Sequence, residues 1–243
     1  MKPKKLTLEQ KKLRKRILEI IHQAHQSHIG SCLSVVDIIE AIYNFKKNKE
    51  KFVLSNGHAA VALYAVLEKH GFLKNPSIEQ LNVHPIRDEK KRIDVSTGSL
   101  GQGLPIALGM AMANPKNNVY CLVSDGECAE GSIWEALRIT VDQKVNNLKI
   151  IVAFNGLGCY CSIPEETLKK KIKGFGFSVL EVNGHRPKDL AKALRKTVKK
   201  TGGPYFIFAK TTPEQLPFLK GIDAHYYVMS EPDFLLAMEI LND

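Results

Sequence analysis

Two apolar runs that stop at oxygen-bearing side chains constrain this chain more than any other feature. Val119-Tyr-Cys-Leu-Val-Ser124 ends at Asp125-Gly126-Glu127, and Lys149-Ile-Ile-Val-Ala-Phe154 ends at Asn155-Gly156. Runs so rich in β-branched residues read as strands buried on both faces. Between them, Ile133, Trp134, Ala136, Leu137 and Val141 recur at helical spacing over 132–143. Strand, helix, strand makes a right-handed crossover between parallel strands. Asp125 and Asn155 therefore emerge at one carboxyl edge of a sheet, the edge at which open α/β sheets bind ligands. Such a pair suits a hard cation that takes its remaining oxygens from phosphate and water. Taken singly, Asp-Gly and Asn-Gly read more simply as turn dipeptides after strands.

The rest of the chain keeps the alternation. Thr7-Leu-Glu-Gln10 is a capping-box start, and Leu13, Ile17, Ile20, Ile21 and Ala24 follow it at helical spacing. That helix ends before Ser27-His28-Ile29-Gly30-Ser31, and Ser34-Val-Val-Asp37 reads as the cap of the next, which buries Ile38, Ala41 and Ile42. Phe52–Leu54 is a short strand leading into Ser55-Asn56-Gly57-His58 and a helix over 59–70, and 75–94 is looser. Ser96-Thr-Gly-Ser-Leu-Gly-Gln-Gly103 precedes a Gly-, Ala- and Met-rich helix over 104–113. So many small residues weaken a helix unless something approaches its backbone closely, either a packed neighbour or an anion at the helix start. Strands follow at 177–182 and 205–209, helices at 187–200 and 231–241, with an irregular stretch at 212–222. The fold class expected is α/β, a doubly wound, mostly parallel sheet flanked by helices. At 243 residues and 44% hydrophobic, the chain can bury one sizeable core. With no composition break, residues 1–243 read as a single domain with an N-terminal helical extension.

Charge and cysteine content narrow the partners. The net charge is +10, but the basic residues spread over helix faces: Lys11, Lys12, Arg14, Lys15 and Arg16, then 169–173 and 192–200. Aromatic residues do not interleave with them as a nucleic-acid platform requires, so a solvated surface is expected, one that draws in anionic small molecules. No apolar run approaches a membrane span, and Met-Lys-Pro-Lys-Lys leads into a charged helix rather than a signal segment. A soluble, cytoplasmic protein is expected, with its five cysteines reduced. Cys159-Tyr160-Cys161 lacks zinc-site spacing. His22, His25, His70 and His185 read as surface or packing residues.

Asp125 and Asn155, thirty residues apart, match the thiamine diphosphate signature, with Ser124 where its first glycine is usual. Together with Ser27-His28-Ile29-Gly30, Phe52-Val-Leu-Ser-Asn-Gly-His58, His84-Pro85, Ser96–Gly103 and Asp125-Gly-Glu-Cys-Ala-Glu-Gly131, they make the chain resemble the N-terminal, diphosphate-binding part of transketolase from about Leu6 to Tyr227. The resemblance implies the smaller subunit of a split enzyme that lacks pyrimidine and C-terminal domains. It would be active only with a C-terminal transketolase subunit, in an α2β2 heterotetramer. The activity implied is transfer of a two-carbon ketol unit from a ketose donor to an aldose acceptor, on a sugar or sugar phosphate, with thiamine diphosphate and Mg²⁺ or another divalent cation such as Ca²⁺. Asp125, Asn155 and the Leu157 carbonyl would hold the metal. His58, Gly98, Leu100, Asp125, Gly126, Glu130 and Asn155 would bind the cofactor. His28, His84 and His225 would face the substrate as proton carriers.

Departures from the family pattern point to a specialised sugar. Ile29 replaces the proline of Gly-His-Pro, Cys159-Tyr160-Cys161 replaces Ile-Asp-Gly, and Thr212-Pro-Glu-Gln-Leu-Pro217 stands where a Lys-Gly-Lys-Gly loop is usual. The alternatives are a component of another thiamine diphosphate enzyme, of the 2-oxo acid dehydrogenase or deoxyxylulose phosphate synthase type, and a non-catalytic structural partner.

Overall fold

The computed structural model describes residues 6–158, 162–199 and 204–242. Thr7 caps helix α1 (Leu8–Gln23) in a capping box with Gln10. Then come α2 (Ile29–Phe45), β1 (Lys51–Leu54), α3 (Ala60–Lys69), the single turn α4 (Ile78–Leu81), α5 (Gly103–Ala113), β2 (Val119–Ser124), α6 (Gly131–Asp142), β3 (Leu148–Phe154) and α7 (Glu165–Gly174). The chain closes through β4 (Ser178–Asn183), α8 (Pro187–Thr197), β5 (Tyr205–Lys210) and α9 (Glu231–Ile240). The strands lie in the order β1-β2-β3-β5-β4, and every neighbouring pair is parallel. All carboxyl ends therefore open on one edge.

Side-chain alternation along the strands builds two cores. Phe52, Leu54, Tyr120, Leu122, Ile151, Ala153, Ile207 and Ala209 pack toward α1, α2, α3 and α8. Val53, Cys121, Val123, Ile150, Val152, Phe206 and Phe208 pack toward α5, α6 and α7 on the other face. Both faces being covered, β2 and β3 are buried almost throughout, as their continuous apolar runs require. Among the described residues, no helix is long and apolar enough to cross a membrane. Cys32, Cys121 and Cys128 are free and buried; Cys159 and Cys161 lie outside the described residues.

Two expectations change, and one open alternative is decided. Helix α2 begins at Ile29, five residues ahead of the Ser34 start, with His28 as its N-cap in the left-handed region (φ 68). Ser34 returns its hydroxyl to the Gly30 carbonyl within the helix, and Asp37 is buried against Arg14 of α1, so a local bond takes one of the groups that read as a cap and tertiary pairing the other. Arg14 and Lys169 are not part of a solvated basic face: Arg14 is 1% exposed beside Asp37, and Lys169 is buried among Glu165, Glu166 and Glu181. At α5, the close approach to Gly103 comes from protein. A Cβ there would stand 2.6 Å from the Ser55 Cα, so the glycine lets the helix start rest on the end of β1.

Candidate active site

The carboxyl edge holds a cavity of about 330 Å³. Four strand ends feed it: His58 follows β1, Ser124, Asp125 and Gly126 end β2, Asn155 and Leu157 follow β3, and Pro213 follows β5. His28 and Ser31 enter from the start of α2, His84, Gly98 and Leu100 from the loop before α5, and Ile222, His225 and Tyr226 from the stretch before α9. Every residue that the sequence reading singled out lines this space except Glu130, which is exposed at the N-cap of α6 and packs beside Gly101.

Asp125 is 1% exposed. Its Oδ2 accepts from the backbone N–H groups of Asn155 (2.9 Å) and Gly156 (2.7 Å), and its Oδ1 from that of Gly126 (3.0 Å). Burial pushes its carboxyl up to about 6 in spite of those donors. A desolvated carboxylate held only by peptide dipoles is an incomplete arrangement that a cation would complete. The Asn155 Oδ1 accepts from the Leu157 N–H at 2.8 Å, which folds the loop back. The Leu157 carbonyl oxygen then lies 3.7 Å from where a Cβ on Gly126 would stand, on the Asp125 side of the cleft. Asp125, Asn155 and Leu157 thus line the same cavity, while no group of three His, Cys, Asp or Glu able to hold a metal occurs among the described residues.

Three imidazoles meet in the same cavity. The His28 ring centroid lies 5.3 Å from that of His58 and 4.7 Å from that of His225, and His58 and His225 are 5.0 Å apart. Burial, then the neighbouring His225 and His84, lower His28 to about 4. Burial, then His225, His28 and His84, lower His58 to about 3. His225 is lowered by burial. All three rings are neutral near pH 7 and can exchange protons without first shedding a charge. Among the described residues, the His28 Nδ1 is buried with no hydrogen-bond partner, an unpaired polar atom on a residue that lines the cleft. His84 stands exposed at the rim against Gly98. A Cβ at Gly98 would come 2.8 Å from the His84 ring, and its φ of +143 excludes other residues as well.

Sequence reasoning missed Ser31, Pro213, Ile222 and Tyr226 in the lining, and Glu127 beneath it. Glu127 is fully buried and accepts from the Ser55 hydroxyl (2.6 Å) and from the N–H groups of Gly101 (3.0 Å) and Ser124 (3.1 Å). It thereby ties the ends of β1 and β2 to the glycine loop. Its place between Asp125 and Glu130 was the available signal. Ile222 and Tyr226 carry none, since exposed apolar residues in an irregular stretch have no period to read.

Comparison with known proteins places the chain in a family. The family model for the transketolase thiamine diphosphate binding domain matches residues 7–216. The chain is 32% identical to one of the subunits of the apulose-4-phosphate transketolase of Phocaeicola vulgatus, over 91% of this chain and 88% of that one. It is 34% identical to human transketolase over 82% of this chain, spanning 36% of the human protein. The crystal structure of Campylobacter jejuni transketolase superposes with a TM-score of 0.80 at 26% identity, over 97% of this chain and 42% of that one.

Proposed function

This chain belongs to the transketolase thiamine diphosphate binding domain family, and on that premise we propose that it is the diphosphate-binding subunit of a split transketolase. The assembled enzyme transfers a two-carbon ketol unit from a ketose to an aldose. The observation that carries this reading is the convergence of His28, His58, His84 and His225 with Asp125, Asn155 and Leu157 around one cleft. Imidazoles brought together from such distant parts of the chain have no ordinary packing rationale, because buried polar groups without partners are costly.

The residues present fit the cofactor. Asp125, the Asn155 carboxamide and the Leu157 carbonyl would hold Mg²⁺, or Ca²⁺ in its place, and leave the other positions to diphosphate oxygens and water. Gly126, Gly98, Leu100 and His58 would line the space beside them. When bound, thiamine diphosphate supplies the carbanion that attacks the ketose carbonyl. The protein's own task is proton traffic on the sugar: one imidazole gives a proton to the oxygen that gains negative charge, and another takes one from the hydroxyl whose carbon–carbon bond breaks. His28, His84 and His225 are assigned that task. Glu130, outside the lining, is assigned to the contact between subunits.

A C-terminal transketolase subunit carrying the pyrimidine domain would complete the site, in an α2β2 assembly. Two observations support this. The Phocaeicola vulgatus relative is itself named as one subunit of its enzyme, and on the outer face of α5 Ile106 (40%) and Met112 (50%) are exposed. The whole of 1–243 would then be one diphosphate-binding domain, and the free cysteines accord with a cytoplasmic location. A specialised sugar is favoured over a common pentose phosphate by the likeness to part of an apulose-4-phosphate enzyme and by the exposed Tyr226 and Ile222 at the cleft. The test is to mix the chain with a pyrimidine-domain partner, thiamine diphosphate and Mg²⁺, and to follow ketose cleavage beside 2-oxo acid turnover. Ketol transfer by the pair alone is expected. Full activity of the isolated chain, or turnover of the 2-oxo acid only, would overturn the reading.

A further inference from the structure

His225 and Ser31 meet through one contact, with the Ser31 Oγ 3.2 Å from the His225 Nδ1. The backbone sets this approach. The His28 N–H donates to the His225 carbonyl at 3.1 Å, and a Cβ on Gly30 would stand 3.2 Å from the Ala224 carbonyl oxygen. The start of α2 and the 3-10 turn Gly221–His225 are therefore in backbone contact. A serine inside a helix commonly returns its hydroxyl to the carbonyl four residues earlier, as Ser34 does to Gly30. Ser31 does not. Among the described residues, the His225 Nδ1 is the one partner of its hydroxyl, and Ser31 is buried.

A neutral imidazole has a hydrogen on one nitrogen and a lone pair on the other, and the hydrogen bond at one nitrogen decides the other's role. With Nδ1–H turned toward Ser31, the hydroxyl hydrogen would face the cavity that Ser31 lines, with no acceptor among the described residues. We propose that Ser31 donates to the His225 Nδ1 and so fixes the Nε2–H tautomer, making Ser31 the positioning residue that aims an N–H donor from His225 into the cleft. His225 then supplies a hydrogen bond or proton to a sugar oxygen and is not the group that takes one. The burial that keeps its ring neutral is consistent with this role. The inference rests on the reading of His225 as a substrate-facing group.

The test begins with the full chain labelled with ¹⁵N-histidine. Long-range ¹H–¹⁵N correlation spectra distinguish a protonated from an unprotonated ring nitrogen, and His225→Gln assigns the signal. Wild type should show an unprotonated Nδ1 and a protonated Nε2, Ser31→Ala a mixture of tautomers, and Ser31→Thr the wild-type pattern. In the assembled enzyme, Ser31→Ala should lower kcat about tenfold, the worth of one hydrogen bond, with cofactor affinity unchanged and Ser31→Thr restoring the rate. A protonated Nδ1 in wild type, or a Ser31→Ala spectrum identical to wild type, overturns the proposal, and so does a rate loss without a tautomer change. A fixed Nε2–H tautomer in an assembly that moves no ketol unit would leave Ser31's role standing and sink the functional reading instead.

Discussion

Two clusters of aspartate and histidine lie inside this molecule, and they are built in opposite ways. Beneath the helices, Asp37 accepts from both terminal nitrogens of Arg14 (3.1 and 2.6 Å), from Gln10 (3.0 Å) and from the His185 Nδ1 (2.9 Å). The His185 Nε2 accepts from the Thr212 N–H, and the Arg14 Nε donates to Gln215. Burial alone would raise the Asp37 carboxyl, but the hydrogen bond from His185 and the charge of Arg14 outweigh it and hold the group at about 2. At the sheet edge, among the described residues, Asp125 accepts from backbone donors alone and is pushed up to about 6, and His28 keeps a nitrogen without a partner. The first cluster is paired within the chain and joins α1, α2, the turn after β4 and the loop after β5. The second opens on a cavity. Fully paired charges suit a structural joint, whereas polar groups beside a cavity without a charged partner suit a binding site.

The sharpest break of this contrast comes from Asp125→Ala. Cation-dependent binding of thiamine diphosphate should be abolished in the assembled enzyme, while the chain alone stays folded with a lowered melting temperature, because the Gly126, Asn155 and Gly156 N–H groups lose their acceptor. Calorimetric titration reads the first and circular dichroism the second; undiminished affinity would remove Asp125 from the metal site. His28→Ala and His84→Ala should each lower turnover by roughly 10²–10⁴-fold, the usual worth of a positioned acid or base, with cofactor affinity spared. Steady-state kinetics with saturating cofactor decides, and a change confined to cofactor affinity would move these residues out of the proton path. In the complete cluster the effect shifts to stability. Arg14→Met should cost about 3–5 kcal/mol by leaving Asp37 buried without its cationic partner, and adding Asp37→Leu should recover part of it. Urea unfolding of single and double variants measures this, and additive losses would show that the pairing matters less than the packing.

The smallest effect is pH dependence. His28 is depressed from 6.5 to about 4. Its contribution is fully present above pH 6.5 and is lost as pH falls toward and through about 4, because the unfolded chain takes up the proton first. Asp37, depressed from 3.8 to about 2, keeps its contribution until pH falls below 3.8 and loses it through about 2. Urea midpoints of wild type should therefore drop relative to His28→Gln between pH 6.5 and 4. A constant gap over that window would mean that the His28 ring is not desolvated.

How much was legible in advance follows from the range of each interaction. Strands β2 and β3 could be read because burial on both faces leaves unbroken apolar runs, and the observed ends at Ser124 and Phe154 match the sequence reading. Helix α1 could be read because its capping box is a local hydrogen-bond cycle. The start of α2 escapes such a reading because a cap and a buried ion pair use the same residue types, and only the neighbour decides which forms. Arg14 supplies that neighbour for Asp37 from another helix. Lys169 sits in a run of lysines that looks solvated, yet Glu181 reaches it from β4.

By itself, the sequence determined the alternation of strand and helix, hence a parallel sheet, hence a single edge at which every strand ends. That follows from local periodicity and chain handedness, which act over a few residues. The tertiary structure alone decided that Ser31 stands beside His225, that Glu127 and not Glu130 is buried under the glycine loop, and that the His28 Nδ1 is left without a partner. Those outcomes depend on distances between segments separated in the chain, from 26 residues for Gly101 and Glu127 to 194 for Ser31 and His225, where packing and desolvation decide and no local pattern carries the information.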